Sequence, residues 1–355
     1  MNTLSNPKKI NTLDKSNVLG SIMLFDKQVE QAWEETKSIK IPVAYKKVKN
    51  LVINGMGGSG LGGHVIKSLY NNEIKIPFEV INDYQVPNYL NKNTLYLISS
   101  FSGNTEEPIG SYAEAKKRGA KIMAITTGGE LSQMMQKNKI PGYAFEARHN
   151  ICNQPRIAVA YSVIGQLALL NKCGIIKIAD SQIKNVQDCL QKLNKTFGIS
   201  NNKDNPAKLI AKESQGRLVI LVAAGLLAGN VHAFANQINE NSKNFASWFV
   251  IPELNHHLME GLKFPKSNKK DLIFVFINSE LYEPRVQKRF EITKDVVKNN
   301  KIAYLEYAVQ AKEKLEQSFE VLSLGSYTAF YLAMLNNVNP GPIPWVDFFK
   351  QQLSQ

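Results

Sequence analysis

The chain has 355 residues, of which 44% are hydrophobic and 21% are charged, and its formal net charge is +13. This length exceeds what one hydrophobic core usually supports, and the composition excludes a disordered or fibrous protein, so two globular domains are expected. No segment is long and apolar enough to span a bilayer, and the polar N-terminal segment lacks a secretion signal, so we expect a cytoplasmic protein without membrane contact.

The three cysteines, Cys152, Cys173 and Cys189, form no CxxC pair and have no histidine at ligand spacing. Neither a zinc site nor a disulfide framework is therefore predicted. The lysines are dispersed along the chain without a run of five or six like charges, which disfavours binding to nucleic acid. The positive charge instead favours small anionic ligands.

In the first half of the chain, short β-rich apolar runs alternate with amphipathic stretches, which is typical of parallel sheets flanked by helices. Strands are predicted at residues 51–54, 78–82, 94–99 and 121–126. Helices are predicted to begin near Gly60, Glu106 and Ser132, and a further helix is predicted over residues 155–172.

The second half has the same organisation. Strands are predicted at residues 218–223, 246–251, 272–278 and 302–307. Helices are predicted at residues 228–242, 285–299 and 317–336, with a short one near the C-terminus. Because the stretch 194–206 is polar and rich in turn-forming residues, we place the domain boundary there. The expected fold is α/β, with domains 1–195 and 206–355 that are each a three-layer αβα sandwich.

The first chemical motif is GMGGSGLGG, residues 55–63, which follows a predicted strand and opens a helix. Glycines allow backbone N–H groups to approach an oxyanion closely, and the helix N-terminus adds a favourable dipole. Within this turn, Gly58 offers its backbone and Ser59 adds a hydroxyl. A glycine-rich turn is also typical of dinucleotide-binding proteins and of tight structural turns, so this motif alone leaves the ligand open.

The second motif is SSFSGNTEE, residues 99–107, again between a strand and a helix. Ser100, Ser102 and Thr105 place three hydroxyls around Gly103. Hydroxyls, backbone amides and a helix dipole that converge on one loop can bind a monophosphate without a lysine. The alternative is an N-capping cluster, but a cap needs only one hydroxyl, so three of them favour an anion site.

Together, these two motifs resemble the SIS family of sugar-phosphate isomerases and sugar-phosphate-binding regulators. Four further segments follow in order: QPR at 154–156, NENSK at 239–243, ELNHH at 253–257 and NPGPIPWVDFFK at 339–350. With them, nearly the whole chain is similar to the bifunctional phosphoglucose/phosphomannose isomerases of archaea and bacteria. The resemblance implies two SIS-type domains that interconvert glucose 6-phosphate and fructose 6-phosphate through a cis-enediolate, without a cofactor or a metal.

Such an isomerisation needs a base that moves a proton between C1 and C2, a cation beside the developing oxyanion and a group that opens the sugar ring. Glu240 lies late in a predicted helix, and Asn236 and Gln237 are expected on the same face. Desolvation among these amides would raise the pKa of Glu240. The residues alone favour a surface glutamate at a helix end, whereas the resemblance implies that Glu240 is the catalytic base.

Arg156 follows a proline at a predicted helix start, where a cation opposes the helix dipole unless an anionic partner holds it. A solvated surface arginine is the alternative, and the resemblance implies that Arg156 stabilises the enediolate. Lys350 lies on an amphipathic C-terminal segment whose apolar side chains could pack, although a lysine near a chain end is ordinarily exposed. The resemblance implies that Lys350 assists ring opening, which requires a docked C-terminal helix.

His256 and His257 follow the predicted strand 246–251. An imidazole there suits acid–base catalysis of ring opening, because its pKa lies near neutral pH. The resemblance implies that His256 acts in the active site of a neighbouring subunit, and hence that the protein is a homodimer. His257 departs from the family pattern and receives no role. Adjacent histidines point apart, so the pair does not predict a metal site.

At position 341 this chain has glycine where several relatives that accept mannose 6-phosphate carry threonine. Loss of that hydroxyl would cost binding of the C2 epimer about 1 kcal/mol, so the predicted activity does not extend equally to mannose 6-phosphate. Two alternatives remain: an isomerase for another sugar phosphate, such as an amino sugar, and a catalytically silent SIS sensor. A sensor would need neither Glu240 nor a titratable partner.

Overall fold

The computed structural model describes residues 3–353, and the strands of this range form two parallel sheets. The first sheet has the strand order β2-β1-β3-β4-β5. Its strands are β1 (Asn50–Gly55), β2 (Phe78–Ile81), β3 (Thr94–Ser99), β4 (Lys121–Thr126) and β5 (Gly142–Ala144). All its neighbouring strands are parallel, so the carboxyl ends of β1 and β3 lie side by side, with Gly55 opposite Ser99.

The second sheet has the strand order β7-β6-β8-β9, again with all neighbours parallel. Its strands are β6 (Leu218–Ala224), β7 (Ala246–Ile251), β8 (Leu272–Asn278) and β9 (Ala303–Ala308). The central strands β6 and β8 are almost entirely buried, which is why they consist of continuous apolar runs and not of alternating residues. Both sheets therefore have the parallel architecture that the sequence predicts.

The helices of the first half pack on the two faces of the first sheet or on one another. They are α1 (Pro7–Leu13), α2 (Val18–Met23), α3 (Phe25–Lys37), α4 (Gly57–Leu69), α5 (Glu106–Gly110), α6 (Tyr112–Lys117), α7 (Gly129–Asn138), α8 (Val159–Lys172) and α9 (Asp180–Phe197). Alternate residues of β1 enter different cores, since Leu51 and Ile53 belong to the main cluster and Val52 belongs to a separate one with Ile98. The first sheet is thus the middle layer of an αβα sandwich.

The second half contributes the remaining helices. They are α10 (Pro206–Ser214), α11 (Ala228–Gln237), α12 (Leu254–His257), α13 (Asn268–Asp271), α14 (Pro284–Asn299), α15 (Lys314–Leu335) and α16 (Pro344–Leu353). Helix α15 is buried along nearly its whole length and packs against α9, α10 and α11. Because α9 belongs to the first half, α15 joins the two sheets into one continuous hydrophobic core.

Two predicted elements differ from the observed ones at positions that matter for the site. The helix predicted over 228–242 ends as an α-helix at Gln237 and continues as a π turn, Ile238–Ser242. The helix predicted over 155–172 begins as a 3₁₀ turn, Pro155–Ile157, before α8 starts at Val159. In both cases the backbone leaves regular geometry at a predicted site residue.

Several complete elements were not predicted: the three N-terminal helices, the three-residue strand β5, and helices α9, α10, α12 and α13. Helix α9 has a readable signal, because its buried residues recur every three or four positions: Ile183, Val186, Leu190, Leu193 and Phe197. Since α9 ends at Phe197 and α10 begins at Pro206, the stretch without helix is shorter than the predicted linker. Within residues 3–353, none of the helices combines the length and the apolar character that a bilayer crossing requires.

Candidate active site

The glycine-rich turn after β1 brings the start of α4 against the 3₁₀ turn that carries Arg156. A side chain at Gly58 would place its Cβ 2.8 Å from the Pro155 carbonyl carbon and oxygen, so only glycine permits this approach. The Ser59 hydroxyl accepts the Phe101 N–H at 2.8 Å, and the Ser59 carbonyl accepts the Ser99 hydroxyl at 2.9 Å. These bonds hold the turns after β1 and β3 together.

In the serine-rich loop after β3, the Ser100 and Thr105 hydroxyls bond to each other at 2.8 Å, and Ser100 accepts the Gly103 N–H at 3.1 Å. Thr105 occupies the N-cap position of α5, but its side chain makes no capping bond, so the capping alternative does not describe this loop. Because α5 has only five residues, its dipole adds little. An anion at this loop would depend on hydroxyls and backbone N–H groups.

A cavity of ≈ 560 Å³ lies beside this loop. Among the predicted phosphate-binding residues, Ser102 lines this cavity. Gly341, Asp347 and Lys350 of the C-terminal segment line it as well. Ser59 lines a small adjoining cavity that shares Phe101 and Pro155 with the first. Ser100 and Thr105 line neither cavity. Of the four predicted hydroxyls, only that of Ser102 thus belongs to an exposed residue that lines the larger cavity, whereas Ser59 is buried.

Arg156 is buried, with only 1% of its side chain exposed, so the surface interpretation is wrong. Its guanidinium donates Nε–H to Asn241 Oδ1 at 2.5 Å, Nη1–H to Gln154 Oε1 at 2.7 Å, and Nη2–H to the carbonyl oxygens of Pro340 and Gly341 at 2.8 and 2.6 Å. Burial lowers the pKa of Arg156, whereas the Glu240 charge opposes this effect. A guanidinium stays protonated at physiological pH in any case.

The Glu240 carboxylate lies 3.7 Å from Arg156 Nη1, and 29% of its side chain is exposed. Burial raises the pKa of Glu240, while the positive charges of Arg156, Lys243 and Lys350 pull it down. The expectation that Gln237 lies beside Glu240 is not met, because the Gln237 side chain turns into the core and donates to the Ser326 hydroxyl at 2.8 Å. The π turn that begins at Ile238 changes the angular spacing between Gln237 and Glu240.

Lys350 lies on α16 with its side chain exposed, and its charge is near enough to act on Glu240. The prediction that the apolar residues of this helix pack against the protein is wrong for the single chain. Exposure remains high at Trp345 (80%), Phe348 (54%) and Phe349 (58%). Helix α16 therefore directs Asp347 and Lys350 toward the cavity and leaves its apolar face uncovered.

His256 and His257 lie on the short helix α12, away from this cavity. His256 lines a different depression of ≈ 400 Å³ together with Arg285, Lys288 and Arg289, which all lie on α14. His257 contacts the ring of Phe249 on β7. Within one chain, the structure brings together Arg156, Glu240 and Lys350 with the loop after β3, and does not bring His256 to them.

The second sheet offers an equivalent edge, because β6 and β8 are neighbours in the way that β1 and β3 are. There, however, the Tyr282 hydroxyl accepts the Ala224 N–H at 3.2 Å and donates to the Ile277 carbonyl at 3.1 Å. A phenol thus lies at the edge of the second sheet that corresponds to the predicted anion site of the first sheet. The cavity of ≈ 690 Å³ beyond it is lined by His64, His232 and Lys314, among others, and by none of the predicted site residues.

Comparisons with known proteins agree with this arrangement. The SIS domain family matches residues 44–172, and the family described as bacterial phospho-glucose isomerase C-terminal SIS domain matches residues 203–353. A bifunctional phosphoglucose/phosphomannose isomerase of Caldicellulosiruptor bescii is 32% identical over 337 residues, which cover 94% of this chain and 98% of that protein. The chain belongs to the bifunctional phosphoglucose/phosphomannose isomerase family.

The protein of the same name from Thermoplasma acidophilum is 28% identical over 330 residues, covering 90% of this chain and 97% of the relative. A solved structure, the C-terminal domain of glucosamine-fructose-6-phosphate aminotransferase from Francisella tularensis, covers 92% of this chain and 98% of its own, with a TM-score of 0.66 and 15% identity. At that identity the likeness concerns the fold alone, and it confirms the predicted pair of SIS domains.

Gly341, at the position where some members of the phosphoglucose/phosphomannose isomerase family have threonine, lies against the N-terminal segment of this chain. Gly341 is buried, and the hydroxyl of Ser16 occupies the space that a Cβ at Gly341 would need. The Ser16 hydroxyl is shielded from solvent and has no hydrogen-bond partner within the described range. A side chain at position 341 would therefore require the Ser16 hydroxyl to move.

Sequence reasoning missed several residues of the site that the quoted motifs contain. Gln154 of QPR and Asn241 of NENSK both hold Arg156, and the Asn241 Nδ2 group is buried without a partner in the part of the chain that the structure describes. Asp347 lines the cavity beside Lys350. Membership in a quoted motif was the available signal, but it does not reveal which of its side chains turn inward.

Proposed function

We propose that the protein interconverts glucose 6-phosphate and fructose 6-phosphate by proton transfer through a cis-enediolate. The observation that carries this proposal is the pairing of Glu240 with the buried Arg156 behind the wall of a cavity that Ser102 and Lys350 line. A partly exposed carboxylate beside a fixed cation is what transfer of a proton next to a carbonyl group requires. Membership in an isomerase family supports the same activity.

The substrate phosphate would bind at the turns after β1 and β3, with hydroxyl groups from Ser59 and Ser102 and backbone N–H groups including that of Gly58. Ser100 and Thr105, which bond to each other, would support the loop and could reorient toward the phosphate. Phosphate binding at this edge of the sheet would place the reacting carbons in the cavity, toward Arg156 and Glu240. Such positioning supplies much of the rate enhancement of an isomerase.

In the proposed reaction, the Glu240 carboxylate removes the proton from C2 of the opened aldose and the electron pair forms the C1–C2 double bond. The carbonyl oxygen O1 becomes the negative oxygen of the enediolate, which the Arg156 guanidinium stabilises. The proton then passes from Glu240 to C1, while the proton of the O2 hydroxyl moves to O1 and leaves a ketone at C2. Atoms and charge balance without any further reactant.

The wild-type protein should convert fructose 6-phosphate to glucose 6-phosphate in the presence of EDTA, because fixed positive charge can stabilise an enediolate. The measurement couples the product to glucose-6-phosphate dehydrogenase and follows NADPH absorbance. Turnover that appears only after a divalent metal is added would contradict the proposed mechanism. Absence of turnover, with fructose 6-phosphate still bound, would instead favour a catalytically silent sugar-phosphate sensor.

Mannose 6-phosphate is a second substrate to be tested, because its enediolate is the same as that of glucose 6-phosphate. The relatives from Caldicellulosiruptor bescii and Thermoplasma acidophilum are named for phosphomannose isomerase activity as well. Gly341 supplies no hydroxyl to the site, and a side chain at that position would first have to displace the Ser16 hydroxyl. We therefore propose phosphoglucose isomerase activity as the main reaction and phosphomannose isomerase activity as the weaker one.

We also propose a homodimer in which His256 of one subunit completes the site of the other and opens the sugar ring together with Lys350. Two observations support it. His256 lies on α12 beside a different depression from the one that Lys350 lines. The apolar face of α16 is exposed in the single chain, and an exposed apolar patch of this kind is typical of a surface that a partner covers.

Mixing two inactive variants tests this exchange of His256. A hybrid dimer of Glu240→Gln and His256→Ala subunits has one site that contains both defects and one site that contains neither. Random mixing after dissociation should therefore restore about a quarter of the wild-type rate. If the mixture stays inactive while subunit exchange is demonstrated by native mass spectrometry, His256 does not act across the interface.

The domain division 1–195 and 206–355 remains our proposal for the functional units. Its support is the position of the sheets, since β5 ends at Ala144 and β6 begins at Leu218. Residues 198–205, between α9 and α10, contain neither helix nor strand. Because α15 packs on α9, we expect the two domains to form one continuous body.

A further inference from the structure

Lys243 directly follows the π turn that carries Glu240, and its backbone has a φ of 54°. This left-handed conformation at the end of a helix usually selects glycine, because a side chain is strained there. A lysine in its place is therefore a reason to ask what the side chain contributes. Lys243 is the last residue of the NENSK motif, and the family resemblance implies no role for it.

The Lys243 ammonium group donates to three carbonyl oxygens. They belong to Glu240 at 2.8 Å, Asn241 at 3.4 Å and Pro340 at 3.4 Å. The Pro340 carbonyl also accepts from Arg156, at 2.8 Å. Lys243 thus ties the turn that carries Glu240 to the segment that holds Arg156 and continues into α16.

The charge of Lys243 acts on the same carboxylate. Arg156 from the 3₁₀ turn lowers the pKa of Glu240 most, Lys243 follows, and Lys350 from α16 comes third. Asp347 is the acidic side chain that acts on Arg156 from α16. The Lys243 ammonium group is partly removed from water and lies near the Arg156 charge, and both effects lower the pKa of Lys243 to about 8. Lys243 therefore remains mostly charged at neutral pH.

We propose that Lys243 is a positioning residue for the isomerisation, which holds the Glu240 turn against Pro340. The nearby ammonium charge also favours the ionised form of the Glu240 carboxylate. This inference rests on the proposed function, because it concerns the same site. Lys243 reaches the reaction through Glu240 and Arg156, so its loss should affect kcat and the pH dependence more than the KM.

The test uses Lys243→Gly, with Lys139→Gly as its matched control. Lys139 has a φ of 53° at the C-terminal end of α7 and an exposed side chain. Glycine relieves backbone strain at both positions, so neither variant should be less stable for conformational reasons. For Lys243→Gly we expect kcat with fructose 6-phosphate to fall by about 10-fold or more, with a KM change below about 3-fold. Lys139→Gly should keep the wild-type values.

The pH profile separates positioning from a merely structural effect. Without the Lys243 charge, the pKa of Glu240 rises further, so the acid limb of kcat/KM should move to higher pH in Lys243→Gly by about half a unit or more. Lys243→Arg keeps both charge and donors, and its acid limb should stay at the wild-type position.

A wild-type kcat and pH profile in Lys243→Gly would overturn the inference, and so would a Lys243→Arg acid limb displaced as far as that of Lys243→Gly. Measuring wild-type turnover first separates a failure of the proposed function from a failure of the role proposed for Lys243. An inactive wild type refutes the proposed function itself. An active wild type with an unaffected Lys243→Gly variant refutes only the role of Lys243.

Discussion

Replacing Glu240 by glutamine should lower kcat for fructose 6-phosphate by about 10²–10⁴-fold, because the amide has the same shape and cannot accept a proton from carbon. Binding should persist, since the proposed phosphate contacts lie on the turns after β1 and β3 and do not involve Glu240. Coupled turnover measures the first quantity and isothermal titration calorimetry with fructose 6-phosphate measures the second. A variant that keeps near-wild-type turnover would show that another group is the base.

Glu213→Gln is the matched control, because Glu213 is exposed on α10 and belongs to no part of the site. It should leave kcat, KM and the pH profile unchanged. The wild-type profile carries a further expectation from the raised pKa of Glu240. The base must be ionised, so acidification should reduce kcat/KM at a higher pH than the pKa of an ordinary glutamate, about 4.3. Glu240→Gln should lack that limb in its residual activity.

Replacing Arg156 by lysine should lower kcat by about 10²-fold or more, although the charge is kept. The planar guanidinium serves four acceptors: Asn241 Oδ1, Gln154 Oε1 and the carbonyl oxygens of Pro340 and Gly341. A single ammonium group has at most three donors and cannot reach all four. Acceptors left unsatisfied in this buried place should reduce the free energy of unfolding by about 1–3 kcal/mol, measured by urea denaturation.

Arg118→Lys is a suitable comparison, because Arg118 also contacts one side-chain oxygen and two carbonyl groups. It donates to Glu114 at 2.7 Å and to the Pro87 and Asn88 carbonyls at 3.1 Å each. The Arg118 side chain is 27% exposed and lies outside the cavity. Arg118→Lys should therefore lose less stability than Arg156→Lys and should keep the wild-type kcat. Equal kcat losses in the two variants would mean that the effect at Arg156 is a general consequence of losing a guanidinium.

Most of the fold could be predicted because the strands of a parallel sheet leave a strong local signal. The predicted strands at 121–126, 246–251 and 272–278 coincide with β4, β7 and β8. They are continuous apolar runs bounded by polar turns, a pattern that depends little on distant residues. Strand β5 has only three residues and gives no comparable signal.

For the candidate site, the family resemblance predicted which residues take part. It did not predict their burial or the contacts that hold them. Nothing local to Arg156 indicates burial, which results from four acceptors supplied by three separate segments. The surroundings predicted for Glu240 assumed a regular helix, and a π turn replaced it. Packing of α16 was expected from its amphipathic pattern, yet such a pattern does not say whether the facing surface belongs to the same chain.

The parallel sheets, the glycine- and serine-rich turns at the carboxyl ends of their strands and the family membership could be read from the sequence, because they depend on short segments and on their order. Only the three-dimensional contacts revealed that Arg156 is buried, that it faces Glu240, that the Ser16 hydroxyl lies against Gly341 and that His256 lies apart from the cavity. Each of these results depends on contacts between residues far apart in the chain, and local periodicity carries no information about them.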